Sequence, residues 1–220
     1  DGIPNILHPS AAAFLTSGGY SHAPQILLLW LLPVWYLLLY GDSCIREYRC
    51  GYLPLMDTRI SRAKYFLTKN AAAFLLTFFL NVGSLALNYV LCWIAFPGND
   101  FRGMEYIVAY GDAGAWLTYS IQHPVGVYIL YILIFAVLSG MLSCACVSLA
   151  MALRSYPLVY AVSFMLWYPQ ISTDYSVLSA MQPFIEYRAD LTTWGILVYL
   201  LLAVAAMLAG YVRRVKYETI

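Results

Sequence analysis

The stretch "ILVYLLLAVAAMLAGYV", Ile196–Val212, holds no charged residue and no alternation of polar and apolar positions. A strand of a membrane barrel would be about ten residues of alternating pattern. A run of this kind in hydrocarbon must satisfy its own backbone hydrogen bonds, and a helix does so within one segment. The same reading extends outward. The chain is 62% hydrophobic and 10% charged, where a soluble domain carries about 25% charged residues. Its mean hydropathy is +0.72.

A helix needs about 20 mostly apolar residues to span a bilayer. Charge-free stretches and hydrophobicity predict five spans, near residues 23–41, 70–96, 125–153, 156–173 and 194–212. The expected fold is therefore all-α, a polytopic transmembrane helical bundle in a single domain. Lys and Arg in the flanking loops set the orientation. Arg46, Arg49, Arg59, Arg62, Lys64, Lys69, Arg154, Arg213, Arg214 and Lys216 fall on one side, ten in all, against Arg102 and Arg188 on the other. The loop 42–69 and the C-terminus are expected in the cytoplasm, in a multi-pass protein of the cell membrane. The chain starts at Asp1, and a further helix preceding it would give six in the full subunit. Trp93, Trp167 and Trp194 at outer ends, with Tyr40, Tyr156 and Tyr211 at inner ends, read as interfacial anchors. Pro33, in "LLLWLLPVWYLLLY" (Leu27–Tyr40), lies mid-span and frees a carbonyl one turn earlier. Residues 103–122 and 174–193 are too polar to span and suit short surface helices or loops.

Net charge is +1, so no general basic field points to nucleic acid. His8, His22 and His123 do not pair at helix spacing, and no nucleophile-elbow, zinc-protease or phosphate-loop motif occurs. The five cysteines form no C-x-x-C, and packing is their expected role. No catalytic residue, metal site or cofactor of its own is expected. Asn81, Ser84 and Asn88 share a helix face, suited either to bonding between helices or to lining a path for a polar solute. Ser139, Gly140 and Ser143 belong to ridges of small residues that let another helix approach closely.

The loop 42–69 departs from all this. Within it, "EYRCGYLPLMDTRISRAKYFLTK", Glu47–Lys69, carries five of the chain's twelve Lys and Arg. A plain helix connection is two to eight residues. Its start, "GDSCIREYRCGYL" (Gly41–Leu53), spaces Ile45, Tyr48 and Tyr52 as one face of an amphipathic helix. Gly51 and Pro54 are expected to break that helix, and Asp57 or Thr58 to cap the next one. A short helix projecting between two spans suits the docking of a soluble partner.

The run Glu47-x-x-x-Gly51, a Leu-Pro bend, then Arg59, Ser61, Arg62, Lys64 and Lys69 leading into a span resembles the membrane subunits of type-2 ATP-binding-cassette exporters. The order of spans and the basic tail "YVRRVKYETI" (Tyr211–Ile220) are similar too. The resemblance implies a permease half without enzymatic activity, working as a homo- or heterodimer in membrane lipid. A cytoplasmic ATPase subunit, holding ATP and Mg, would dock on a coupling helix at Arg46, Glu47, Tyr48, Arg49, Gly51, Tyr52 and Leu53. Arg59, Arg62, Lys64 and Lys69 would form the basic inner-face helix. The absence of charge within the spans suits an amphipathic or apolar cargo: a peptide, a lipid or a drug. A non-transporting immunity or assembly factor is the alternative.

Overall fold

The computed structural model describes residues 8–16, 22–96, 115–173, 176–184 and 189–216. Every regular element among them is helical. The order is α1 (Pro9–Ala12), α2 (His22–Trp30), α3 (Leu32–Tyr36), a π turn (Leu37–Gly41), α4 (Asp42–Arg49), α5 (Tyr52–Asp57) and α6 (Arg62–Ala95). Then follow α7 (Ala115–Gln122), α8 (Pro124–Leu153), α9 (Tyr156–Ser172), α10 (Val177–Met181) and α11 (Ala189–Lys216). Among the described residues, three helices are long and apolar enough to cross a membrane: α6, α8 and residues 192–216 of α11. Residues 23–49 add a fourth if the bent pair of helices there is one span.

α8 is the axle of the bundle. Pro124 opens it, where a missing N–H costs nothing. Every residue from Leu142 to Ala152 is buried, as suits a helix apolar all round. α6 and α11 pack along it, and α3, the π turn and α9 cover the rest. Close approach depends on small residues. A Cβ on Gly210 of α11 would lie 2.6 Å from the Ser148 carbonyl oxygen of α8. A Cβ on Gly140 would lie 2.7 Å from the Phe74 ring of α6. Side-chain bonds tie the same helices: Tyr199 donates to the Leu138 carbonyl (2.5 Å) and Ser148 to Asn70 Oδ1 (3.0 Å).

The first apolar stretch bends sharply beside Pro33, as that proline suggested. α2 and the run 32–49 meet at 62°. Pro33 has no N–H to give the carbonyl of Leu29, four residues earlier. The indole Nε1 of Trp167 donates to that carbonyl at 3.1 Å. Trp167 is thus fully buried and not the interfacial ring that its place near a span end suggested. Trp93 and Trp194 are exposed, at 43% and 60%. The basic segment 62–69 runs unbroken into the next apolar stretch as α6. The cap of α6 is Ser61, whose Oγ accepts from the Lys64 N–H at 3.4 Å, rather than Asp57 or Thr58. The Asp57 carboxylate is held by Arg62 and Arg214, and Thr58 Oγ1 donates back to the Leu55 carbonyl. Of the two polar segments 103–122 and 174–193, the described parts form α7, α10 and the start of α11; residues 103–114, 174–175 and 185–188 lie outside the described residues.

The Gly210 contact yields a test. Gly210→Val should cost about 1–3 kcal/mol by overpacking and lower the melting temperature of the detergent-purified protein. Gly83→Val, where a Cβ meets nothing within 4 Å, should leave it nearly unchanged. Equal melting of the two variants would contradict the packing of α11 on α8.

Candidate functional site at the basic end of the bundle

The segment 42–57 forms two short helices joined at a glycine. α4 buries Cys44 and Ile45 on the bundle and turns Arg46, Tyr48 and Arg49 outward. It ends where Gly51 takes φ +70°, ψ 15°, a left-handed conformation natural to glycine after a helix. The Gly51 N–H closes the turn on the Tyr48 carbonyl at 3.1 Å. Pro54 does not break the chain a second time. It sits in the first turn of α5, where proline is tolerated. Leu53 anchors α5 to the core, at 8% exposure, while Tyr52, Pro54 and Leu55 face outward.

Each acid of this segment is turned back onto the bundle. Asp42 Oδ1 accepts from the Tyr160 hydroxyl of α9 at 3.1 Å. Glu47 accepts from the Tyr65 hydroxyl and from Lys69 Nζ, both on α6. Asp57 bonds Arg62 Nε at 3.2 Å and the Arg214 guanidinium of α11 at 2.6 Å. Cations stacked on rings complete the network. The Arg154 guanidinium, at the α8–α9 turn, lies 4.2 Å from the Tyr48 ring centre. Arg49 lies 4.7 Å from that of Tyr156. Such partly exposed pairs contribute about 1 kcal/mol each or less. The Asp57–Arg214 pair stands apart, because its side chains are only 10% and 2% exposed. Losing one partner of a buried pair strands the other charge.

The expected docking residues Arg46, Glu47, Tyr48, Arg49, Gly51, Tyr52 and Leu53 therefore share one element with unlike roles. Glu47 and Leu53 face inward, Gly51 shapes the turn, and Arg46, Tyr48, Arg49 and Tyr52 are exposed. Of the expected basic helix, Arg59 and Lys64 are exposed, Arg62 engages Asp57, and Lys69 engages Glu47. The remaining candidates lie elsewhere. Asn81 Nδ2 donates to the Tyr36 hydroxyl at 3.1 Å, and Asn88 Oδ1 accepts from the Phe14 N–H at 3.0 Å. Ser84 is exposed and bonds its own helix at the Leu80 carbonyl. Ser139, Gly140 and Ser143 are buried in α8. Sequence reasoning missed Asp57 and Arg214 as a pair, and Asn70 as a partner of Ser148. One of only two acids beside five bases in residues 47–69 was a weak signal for the first; the second had none. Among the described residues no cluster of His, Cys, Asp and Glu could hold a metal ion.

Asp57→Ala should destabilise the purified protein by about 3 kcal/mol, with Arg214→Ala close behind. The double variant should lose less than the sum of the two. Additive losses in a thermal-unfolding double-mutant cycle would show that the pair does not couple.

No family model and no solved structure matches the chain. It is similar to a protein of Bacillus subtilis (strain 168) described as "Uncharacterized protein YybM". The two are 32% identical over 180 residues, which cover 82% of this chain and 71% of the relative. At that identity and coverage, the chain belongs to the family of the Bacillus subtilis protein YybM.

Proposed function

We propose that this protein is the membrane permease subunit of an ATP-driven exporter, crossing the membrane five times within these residues. The bent pair 23–49 and α9 would be spans beside α6, α8 and α11. At 17 residues, α9 lies at the short end of the spanning range. The ten-to-two bias of Lys and Arg would put the α4–α5 end and the C-terminus in the cytoplasm. Two subunits, alike or different, would form the pathway, and the cargo would be amphipathic or apolar.

One observation carries this reading: a short two-helix element whose acids face the bundle and whose outer face is basic and aromatic. Arg46, Tyr48, Tyr52, Leu55 and Arg59 are exposed on it or beside it. Tyr and Arg are common anchors of protein interfaces. A plain loop would yield under load. This element has attachments at Asp42, Glu47 and Asp57 to α9, α6 and α11. A displacement imposed on α5 would be passed to those three helices together. A separate ATPase, holding ATP and Mg, would bias an inward-facing against an outward-facing state by binding this element differently in the two.

Purification from the native host should bring down an ATPase, and replacing residues 46–56 with a Gly/Ser linker should release it. Glu47→Ala and Gly51→Pro should keep the protein in the membrane and lower its transport at least tenfold. An intact chain that copurifies with no ATPase would favour an immunity or assembly factor. Wild-type transport in both point variants would remove the coupling role of this element.

A further inference from the structure

A groove runs between α8, α9 and α11, with an empty volume of about 330 Å³, its open mouth included. It exists because the facing helices carry small residues there: Ala145 on α8, with Ala203 and Ala206 on α11. Its back wall is held rigidly. The Trp167 indole is spent on the Leu29 carbonyl and the Tyr199 hydroxyl on the Leu138 carbonyl, and the two rings meet edge to face at 6.2 Å. Neither side chain can swing in to fill the space without losing its bond.

Two polar side-chain oxygens in the lining have no hydrogen-bond partner, Ser163 Oγ and Gln170 Oε1, seven residues apart on α9. A hydroxyl can donate or accept, whereas the amide oxygen only accepts. Gln170 is 9% exposed. Its Nε2 donates to the Leu166 carbonyl at 2.8 Å, which fixes which way round the amide lies. Its Oε1 is left buried without a hydrogen bond. A buried acceptor without a donor destabilises the fold. A water there would need two to four polar partners. Ser163 lies about 10 Å away along the helix, Trp167 and Tyr199 are already bonded, and the rest of the lining is apolar. A donor attached to an apolar body meets both demands. A charged donor does not, since no charged residue lines the groove and desolvating an unpaired charge is costly. Gln170 lies two residues before the end of α9, at the opposite end of that helix from the Arg154 turn.

We infer that this groove binds one hydrocarbon chain of an uncharged membrane lipid, whose hydroxyl end donates to Gln170 Oε1. The site rests on the membrane character of the bundle and not on the exporter reading. Its occupant is a resident lipid, taken from the leaflet away from the basic end.

The test compares two probes, 1-monooleoylglycerol and methyl oleate, which share a chain but differ in the donor. Native mass spectrometry of the full chain in maltoside micelles reads the binding. Wild type should take one monooleoylglycerol per chain and bind it about tenfold more tightly than methyl oleate, as one hydrogen bond allows. Gln170→Leu should abolish that preference, and Ala203→Phe should remove the one-to-one adduct. Equal affinity of the wild type for the two probes overturns the inference and needs no variant. So does an adduct that survives in Ala203→Phe and Ala206→Leu proteins whose circular dichroism matches wild type. Either result leaves the exporter reading untouched, since that is judged by ATPase copurification.

Discussion

A backbone carbonyl that loses its helical partner inside a packed bundle needs another donor. The carbonyl of Leu29 is in that position because residue 33 is proline, and much of the bundle is arranged around its rescue. Trp167 reaches it from α9, and so is drawn fully inside. The bend at this point separates α2 from the run that continues through the π turn into α4. α9 is thereby pinned against the first apolar stretch, although the two are more than 130 residues apart in sequence. The groove beside Trp167 owes its rigid wall to the same bond.

A second constraint acts at the basic end. Six cations fall within residues 42–69, with three acids among them. Were these acids exposed, they would offset the surrounding charge and leave a mixed surface. Turned inward, they join the segment to the helices beneath and leave its outer face basic. The burial of Arg214 is offset in part by Asp57, which meets it at 2.6 Å, and by the Tyr65 ring. The fixed geometry of α4 and α5 thus depends on the far end of the chain, where the last helix returns to the same surface.

Much of this was legible beforehand, and the boundary is physical. Long apolar runs report helices because composition and length alone decide them, so α6, α8 and α11 could be located from residues. The start of α6 was placed three or four residues early. Asp57 and Thr58 are good caps in isolation, but their side chains were already engaged, and only a tertiary view reveals it. Pro54 read as a breaker since its rule depends on position within a turn, and that position is set by Gly51. Trp167 read as an interfacial ring because its partner, a carbonyl made available by a distant proline, has no local signature. Residues 46–53 were read as one helical element, which α4 and α5 bear out only as a pair of helices, while the inward turn of Glu47 was not foreseen. A helical periodicity says which residues share a face, not which neighbour that face meets.

The π turn at Leu37–Gly41 has a consequence for how this element tolerates change. Such a turn is an α-helix carrying one surplus residue. Each residue advances a helix by about 100°. The side from which Glu47 views Lys69 is therefore a matter of counting as much as of chemistry. Substitutions along Leu37–Tyr40 can preserve the bearing of α4, whereas loss of a single residue there would swing it by more than a quarter turn. Chain length in this short stretch works as an angular setting for everything that follows it.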